Sequence, residues 1–363
     1  MSSLRELLAA AVAQGAADIH LKLGQPPIFR VNSSLVVQPY QPLTAASLEA
    51  IAQDLIPPHI RQQFEAHHEA DFSHHEEGVG RFRVTVFNTQ MVPAFALRYV
   101  KTTIPSFADL GLPPILQKIA LTQRGIVLAT GSTGSGKSTT LAALIECINQ
   151  SHKRRIITIE DPIEFLFTDA QSVISQREVG LDTPTFNDGL RRVLRQDPDI
   201  IMIGEMRDAE SFSAALQASE TGHLIFSTLH TDTAGQSVTR ILNFFPASQR
   251  DQIRMSLATN LQAVICQRLV PANKGGVVPA VEIMMSTPTV RKLMEKNIIE
   301  KLPAAIETGI EDGMQTFNQA LYALIKAGTV NEQNGMHYAS NPEALKMNLK
   351  GIFLDEARRI LGA

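Results

Sequence analysis

The sequence has 363 residues, of which 44% are hydrophobic and 19% are charged. This length and composition are typical of a folded protein with two or three domains, and they exclude a disordered or fibrous chain. The 33 lysines and arginines nearly balance the 36 aspartates and glutamates, and a net charge of −3 excludes binding to nucleic acid or to an anionic membrane by bulk charge.

The N-terminal part of the chain has the pattern of a small sheet with helices. Apolar residues at helical spacing within residues 3–14 predict a short amphipathic helix. Apolar and polar residues then alternate in 18–23, 28–31, 80–87 and 94–98, as in half-buried strands. We therefore expect an α+β domain over residues 1–98.

A proline-containing polar segment follows this domain. Pro105, Gly111, Pro113 and Pro114 interrupt it, which is typical of a hinge between domains. We expect a hinge linker at 99–108 and a second domain over 109–363.

The second domain begins with apolar runs of strand length that alternate with helical patterns. The runs are Ile126–Ala129, Ile156–Ile159, Ile200–Ile203 and Leu224–Thr228. Because they are apolar throughout, they predict a parallel sheet that is covered on both faces. After Pro271 the pattern becomes helical, in 288–296, 316–327 and 344–361, and predicts a helical C-terminal tail.

The first run leads into a glycine-rich segment, Gly131-Ser-Thr-Gly-Ser-Gly-Lys-Ser138, and a helical pattern follows it. This fits the P-loop pattern, in which glycines allow backbone N–H groups to turn towards phosphates. In that pattern Lys137 reaches the outer phosphates and Ser138 binds Mg²⁺. We predict a site for ATP and Mg²⁺, formed by Gly131, Ser132, Thr133, Gly134, Ser135, Gly136, Lys137, Ser138 and Thr139.

Carboxylates follow two of the other runs. The third run ends in Glu205, which we expect at the carboxyl edge of the sheet, on a strand beside that of the P-loop, where it supports Mg²⁺ through water. The second run is followed by Glu160, Asp161 and Glu164. Hydrolysis needs a separate base for the attacking water, and we predict Glu164 in that role. A surface position for Glu205 and a simple acidic turn at 160–164 are the alternatives.

Histidines flank the fourth run. His223 precedes it, whereas Thr228 and His230 lie at its carboxyl end. All three are candidate phosphate sensors. For His223 the alternative is an anchor at the opposite end of the strand.

These four segments resemble, in type and order, the Walker A, Asp, Walker B and His boxes of the secretion-type ATPase superfamily. They lie at residues 131–138, 157–164, 199–208 and 221–232. Within that superfamily the chain is most similar to the PilT/PilU family of type IV pilus retraction ATPases. The similarity extends to further segments, at 17–21, 24–27, 78–84, 175–180 and 194–199.

The resemblance implies a PAS-like N-terminal α+β domain followed by a RecA-like P-loop ATPase domain with C-terminal helices, assembled as a homo-hexamer. It implies that Lys137 binds nucleotide, that Glu164 is the catalytic glutamate and that His230 contacts the phosphate end. It also makes Arg81, Arg83 and Arg98 candidates for an arginine that one subunit delivers to the site of its neighbour. Interface salt bridges are the alternative for these arginines.

The family implies an ATP-hydrolysing motor that powers retraction of type IV pili and twitching motility. We expect a cytoplasmic protein, peripheral at the cytoplasmic face of the inner membrane, that acts on the inner-membrane pilus platform protein. A paralogous retraction ATPase is a further candidate partner. One segment departs from the retraction signature A-I-R-N-L-I-R-E: the chain reads T-V-R-K-L-M-E-K over 289–296, so Glu295 and Lys296 reverse both final charges. An accessory, PilU-like role therefore stays open.

Two rival functions share the P-loop. Pilus-extension and type II secretion ATPases carry an extra N-terminal domain and a four-cysteine metal insert, whereas this chain starts at the small domain and has two cysteines, Cys147 and Cys266. The apolar surroundings of the two cysteines predict buried thiols in a reducing compartment.

A nucleic-acid translocase, the second rival, needs a basic channel with aromatic platforms. The basic clusters at 153–155 and 191–192 lack such aromatics, so we expect no nucleic acid partner.

Overall fold

The structure is a computed structural model that describes residues 3–31, 34–100 and 103–353. The chain divides into two compact units. The N-terminal unit comprises Met1–Thr103 and Glu164–Leu166, and the C-terminal unit comprises Ile104–Ile163 and Phe167–Ala363. The chain passes from the first unit to the second at Thr103, inside the segment for which the sequence predicts a hinge.

The N-terminal unit is an antiparallel sheet of six strands with three helices. The strands lie in the order β3-β2-β1-β6-β5-β4, and every neighbouring pair is antiparallel. The elements are α1 (Leu4–Ala13), β1 (Asp18–Leu21), β2 (Ile28–Val31), β3 (Ser34–Val37), α2 (Ala45–Leu55), α3 (Pro58–His67), β4 (Glu69–Glu76), β5 (Gly80–Thr89) and β6 (Val92–Val100).

The predicted N-terminal helix is α1, and a capping box sets its start. The Ser3 hydroxyl accepts a hydrogen bond from Glu6 N–H at 3.3 Å, and the Glu6 carboxylate accepts one from Ser3 N–H at 3.1 Å. Leu7, Leu8 and Ala11 lie on one face of the helix and are buried in the core of this unit. The alternation seen in the sequence places Phe82, Val84 and Val86 of β5 in the same core.

The C-terminal unit is built on a seven-stranded sheet in the order β13-β12-β7-β11-β10-β8-β9. All neighbouring pairs are parallel except β12 and β13. The strands are β7 (Gly125–Thr130), β8 (Arg155–Glu160), β9 (Val173–Glu178), β10 (Ile200–Ile203), β11 (Leu224–Leu229), β12 (Leu261–Pro271) and β13 (Val277–Met285). The four apolar runs of the sequence are β7, β8, β10 and β11, so the parallel sheet is confirmed.

Helices cover both faces of this sheet. They are α4 (Ile115–Ala120), α5 (Lys137–Ser151), α6 (Phe186–Val193), α7 (Ala209–Glu220), α8 (Ala234–Asn243), α9 (Ala247–Asn260), α10 (Pro288–Glu295), α11 (Leu302–Thr308), α12 (Phe317–Lys326), α13 (Glu332–Tyr338) and α14 (Pro342–Leu349). Ile126 and Leu128 pack into the core on one face, and Val127 and Ala129 pack into the core on the other. This two-sided burial explains why β7 has no polar residue facing solvent.

The C-terminal part corrects the sequence prediction at one point. We predict helices after Pro271, but residues 277–285 form β13, the edge strand. A short apolar run fits a buried helix and a strand equally well, and the sequence period does not separate them. The predicted helices at 288–296 and 316–327 are α10 and α12. Of the predicted helix 344–361, the structure shows α14, and the part beyond 353 lies outside the described residues.

Both cysteines are free thiols, although only Cys266 is fully buried and Cys147 is half-buried. Burial raises the pKa of the Cys266 thiol well above its ordinary value and also raises the pKa of Cys147. Among the helices within the described ranges, none has the length and apolar character that crossing a membrane requires. An α+β unit followed by a mixed α/β unit with a parallel sheet confirms the predicted fold class.

Candidate nucleotide-binding site

The predicted P-loop joins β7 to α5 at the carboxyl edge of the parallel sheet. Its loop extends from Gly131 to Gly136, and α5 begins at Lys137. Gly136 is the N-cap residue and has no side chain with which to cap the helix. The N–H groups of the first turn therefore stay available to another acceptor, which is how helix N-termini bind phosphate.

The glycines of this loop meet both a conformational and a steric demand. The φ angles of Gly131, Gly134 and Gly136 are +143°, +78° and +90°. A Cβ atom on Gly131 would lie 2.5 Å from the backbone oxygen of Gln267, and one on Gly136 would lie 2.6 Å from the Nε2 atom of the same residue. Glycine is thus required at position 131 because the backbone of β12 passes so close to it, whereas at position 136 the positive φ is the main requirement, since the side chain of Gln267 can move.

Lys137 is folded back onto the loop. Its side chain is buried, and Nζ donates hydrogen bonds to the carbonyl oxygens of Gly131 and Ser132, each at 2.9 Å. The Ser135 hydroxyl is also buried, and among the described residues it has no hydrogen-bond partner. A buried hydroxyl without a partner costs free energy, so a ligand that accepts or donates there would be stabilised.

The remaining predicted loop residues lie near the surface. Ser132, Thr133 and Gly134 are exposed, whereas Ser138 and Thr139 are half-buried in the first turn of α5. The loop therefore presents its tip to solvent and places the Ser138 hydroxyl beside the buried lysine.

Gln267, on β12, is a residue of this site that the sequence does not reveal. It is 5% exposed, and its Oε1 atom accepts a hydrogen bond from the Thr140 hydroxyl at 2.7 Å. Gln267 therefore binds α5 just after the loop, and it also fills the space that a Cβ atom at Gly131 or Gly136 would need. Residues 131 and 267 are far apart in sequence, and only the pairing of β12 with β7 brings them together.

Glu205 and His230 lie together at the same edge of the sheet. Glu205 follows β10, and its carboxylate accepts a hydrogen bond from Arg207 Nε at 2.8 Å. The other carboxylate oxygen lies 3.2 Å from His230 Nε2. The Glu205 side chain is 19% exposed, and its carboxylate lies between the guanidinium of Arg207 and the imidazole of His230. The structure thus brings together one residue from each of the segments at 199–208 and 221–232.

The strand order corrects one expectation about Glu205. We predict it on a strand beside that of the P-loop, but β11 lies between β7 and β10. Two strand spacings separate the P-loop strand from the Glu205 strand, a distance of about 10 Å. Such a gap suits a carboxylate that reaches a bound ion through water, which is the predicted role of Glu205, more than one that binds the ion directly.

Thr228 fixes the turn that carries Glu205. Its hydroxyl donates to the carbonyl oxygen of Gly204 at 2.7 Å, and its own carbonyl oxygen accepts from Met206 N–H at 3.3 Å. Both groups of Thr228 are engaged with the segment around Glu205. In this structure Thr228 therefore orients the Walker B turn.

His223 lies at the opposite edge of the sheet from the P-loop. It precedes β11, and its carbonyl oxygen accepts from Gly125 N–H, at the amino end of β7. Its Nδ1 atom lies 2.9 Å from the carbonyl oxygen of Ala218, near the end of α7. Because the P-loop follows the carboxyl end of β7, the geometry supports the anchoring alternative for His223 and not phosphate sensing.

The Asp box follows β8. Glu160 is buried, and its Oε1 atom accepts hydrogen bonds from the Thr158 hydroxyl at 2.6 Å and from Gln176 Nε2 at 3.1 Å. Asp161 and Glu164 are exposed in the loop between β8 and β9. The predicted catalytic carboxylate, Glu164, is thus exposed to solvent, whereas Glu160 is held by hydrogen bonds at the edge of the sheet.

The candidate arginines form part of a charged row across the N-terminal sheet. Cross-strand pairing places Arg30, Asp18, Arg98 and Arg83 side by side on one face. Asp18 bridges its two neighbours, with contacts of 3.4 Å to Arg30 Nε and 2.7 Å to Arg98 Nε. The hydrogen bond to Asp18 is the main cause that raises the pKa of Arg98. Arg83 lies 4.0 Å from Asp71, and Arg81 is half-buried on the same strand.

A buried carboxylate holds the helix that follows the His box. Glu282, on β13, accepts a hydrogen bond from Ala234 N–H, in the first turn of α8, at 2.9 Å. Cross-strand pairing places it beside Cys266, which in turn pairs with Thr130 at the end of the P-loop strand. Burial is the main cause that raises the pKa of Glu282, and the bond from Ala234 opposes it. This carboxylate therefore links the edge strand to the loop that carries His230.

Residues 2–302 match the family described as type II/IV secretion system protein. The chain is 41% identical to the type IV pilus retraction ATPase PilT of Pseudomonas aeruginosa, over 94% of this chain and 99% of the relative. It is 38% identical to the type IV pilus ATPase PilU of the same organism, over 95% of this chain and 91% of the relative. A crystal structure of the pilus retraction motor PilT with bound ADP is similar to this chain, with a TM-score of 0.90 and 40% identity, over 95% of this chain and 99% of that chain.

The close approach of Gln267 to the loop predicts unequal effects of alanine at two of its glycines. Gly131→Ala places a methyl group against backbone and forces a φ that L residues rarely adopt, so we expect a loss of about 2–4 kcal/mol in unfolding free energy. Gly134→Ala is the matched control, since it has open space around it and only the positive φ to accommodate. Urea unfolding without nucleotide measures both. Equal losses would contradict the proposed steric contact.

The raised pKa of Glu282 predicts a dependence of stability on pH. Above the ordinary pKa of 4.5, the folded protein holds a proton on Glu282 that the unfolded chain releases. Stability therefore falls as pH rises from that value through the raised pKa of the folded state. Glu282→Gln keeps an acceptor for Ala234 N–H and cannot titrate, so the unfolding free energy of the variant relative to wild type should increase over this range. Urea midpoints at several pH values measure it, with Glu220→Gln as an exposed control. A flat difference for Glu282→Gln would contradict the prediction.

Proposed function

Because the chain belongs to the type II/IV secretion system protein family, and within it to the PilT/PilU type IV pilus ATPases, we propose that it is an ATP-hydrolysing motor that powers pilus retraction and twitching motility. One observation carries the proposal. The P-loop, Glu205 and His230 all emerge from the same carboxyl edge of one parallel sheet. That edge is where open α/β sheets bind their ligands.

The P-loop residues bind the phosphates of ATP in this proposal. The loop N–H groups and those of the first turn of α5 accept the negative charge, and Lys137 exchanges its carbonyl contacts for phosphate oxygens. Ser135 supplies a hydroxyl that is already buried beside the loop. Gln267 packs against both ends of the loop and accepts a hydrogen bond from Thr140 in the helix that follows it.

Mg²⁺ is the ion that the P-loop pattern implies, and the donors present fit it. Within the described ranges no three His, Cys, Asp or Glu side chains form a cluster that would hold a metal. Mg²⁺ is commonly held by one or two protein oxygens together with phosphate oxygens and several waters. The Ser138 hydroxyl and, through water, the Glu205 carboxylate would hold it. Bound there, the ion neutralises charge on the phosphates during transfer.

Glu164 takes the proton of the attacking water. It is an exposed carboxylate distinct from Glu205. Glu164 can therefore act as the base while Glu205 supports the ion. His230 contacts the terminal phosphate of ATP. Because its Nε2 atom lies 3.2 Å from Glu205, it also connects the presence of that phosphate to the turn that carries Glu205. An arginine of the row that includes Arg83 and Arg98 neutralises transition-state charge in a neighbouring subunit, a contribution of about 10³ to 10⁵ in other P-loop enzymes.

The assembly proposed for this chain is a homo-hexamer at the cytoplasmic face of the inner membrane. Its ring acts on the inner-membrane pilus platform protein, and a paralogous retraction ATPase is a second partner. The near-neutral net charge of −3 supports a protein partner over nucleic acid.

An accessory, PilU-like role is the second candidate function. The observation that favours it is the charge reversal at Glu295 and Lys296, both of which are exposed at the end of α10. The guanidinium of Arg254 donates to the carbonyl oxygen of Met294 at 3.1 Å and also to that of Glu295, so this helix end is firmly held. A partner protein that binds the final Arg-Glu pair of the retraction signature would find the charges reversed at Glu295 and Lys296 of this chain.

Steady-state ATP hydrolysis by the purified protein tests the enzymatic part. We expect Lys137→Ala to lose nucleotide affinity and turnover, whereas Glu164→Gln and Glu205→Gln should keep nucleotide binding and lose about 10²-fold or more in kcat. Glu220→Gln, an exposed carboxylate at the end of α7, is the matched control and should hydrolyse ATP at the wild-type rate. Nucleotide binding without any turnover by wild type would refute the ATPase.

Deletion of the gene tests the direction of the motor. A primary retraction motor predicts abundant surface pili together with loss of twitching, because assembly continues and disassembly stops. The readouts are pilus counts by electron microscopy and the diameter of twitching zones. A strain without pili would contradict retraction, and a defect seen only under load would indicate the accessory role.

A further inference from the structure

The edge strand β9 carries a buried carboxylate, Glu178, and a half-buried amide, Gln176, that the proposed ATPase chemistry does not use. Gln176 and Glu178 are two residues apart, so they lie on the same face of the strand. Glu178 is 3% exposed although β9 is the outermost strand of its sheet. Burying a carboxylate costs free energy unless hydrogen bonds compensate for the loss of water. The hydrogen-bond partners of Glu178 therefore indicate its role.

Both side chains accept hydrogen bonds from the backbone of the loop that follows β8. Glu178 Oε2 accepts from Ile163 N–H at 3.1 Å, and Gln176 Oε1 accepts from Phe167 N–H at 2.9 Å. The two anchored N–H groups lie on either side of residues 164–166. The short turn that carries Glu164 is therefore tied to β9 at its beginning and at its end.

A third contact extends this anchoring to the end of β8. Gln176 Nε2 donates to the carboxylate of Glu160 at 3.1 Å, so one amide group contacts the chain both before and after the turn. Glu178 is itself held, because its N–H donates to Asp182 Oδ2 at 2.8 Å. Ile163 and Phe165 are buried on either side of Glu164, which alone of the three is exposed.

We propose that Gln176 and Glu178 are positioning residues that hold the Glu164 carboxylate at the attacking water during hydrolysis. The inference rests on the proposed catalytic role of Glu164. A general base must lie within hydrogen-bond reach of the proton that it takes, and small misplacements are costly in rate. An exposed side chain on an untethered loop would not meet that requirement, whereas a turn with both ends tied to the sheet does.

Kinetics of single and double variants test the proposal. Glu178→Ala and Gln176→Met each remove one acceptor, and we expect each to lower kcat by about 10-fold to 10²-fold while the KM for ATP changes by less than about twofold. Glu178→Gln keeps an oxygen within reach of Ile163 N–H and should retain kcat within about threefold. Val173→Ala, at an exposed position of the same strand, is the matched control and should leave both constants unchanged.

A double-variant cycle separates positioning from a general structural role. In the Glu164→Gln background, Glu178→Ala and Gln176→Met should lower kcat no further, because the group that they position is already absent. Additive losses would overturn the inference, as would wild-type kcat in both single variants. If Glu178→Ala fails to fold, Gln176→Met alone carries the same cycle.

The proposed function fails by a different result. Wild-type kcat in Glu164→Gln itself, with ATP still hydrolysed, would refute the catalytic role of Glu164 and with it this inference. A large loss in Glu164→Gln together with no loss in Glu178→Ala and Gln176→Met would refute the inference alone and leave the ATPase in place.

Discussion

Parallel pairing of β7, β11 and β10 determines where the P-loop and the segments that carry His230 and Glu205 emerge. Thr130 pairs with Leu229 and Ile203 pairs with Ser227, so these strands end within a residue or two of one another. Because parallel strands point the same way, the segments that follow them meet at one edge. Lys137, His230 and Glu205 are separated by long stretches of chain, and this ladder alone brings their segments to a common edge.

Buried and half-buried polar groups behind that edge hold its loops in place. Gln267 binds the P-loop helix from β12, Glu282 ties β13 to the start of α8, and Gln176 and Glu178 tie β9 to the Asp box. Each of these oxygens accepts a hydrogen bond from a loop, a helix start or the P-loop helix, which offsets the cost of burying it. The loops of the site are thus irregular in shape and yet firmly attached to a regular sheet.

Much of the fold and part of the site could be predicted from local patterns. The apolar runs of β7, β8, β10 and β11 and the glycine-rich loop depend on neighbouring residues, so the sequence reveals them. The sequence prediction is wrong for β13, which lies within the predicted helical tail, because a short apolar run does not identify its own partner. The contacts of Gln267 and Glu178 cannot be predicted from the sequence, since a lone glutamine or glutamate in a strand has no signature of its function.

Residue types and their spacing were sufficient for the P-loop, the order of the acidic and histidine segments, and the division into a small α+β part and a parallel-sheet part. They were insufficient for strand order. The insertion of β11 between the P-loop strand and the Glu205 strand, and the place of His223 at the far edge, follow from hydrogen bonds between residues distant in sequence. Local sequence encodes backbone preference and burial, whereas the free energy that selects a neighbouring strand is shared among all the strands and helices that pack around it.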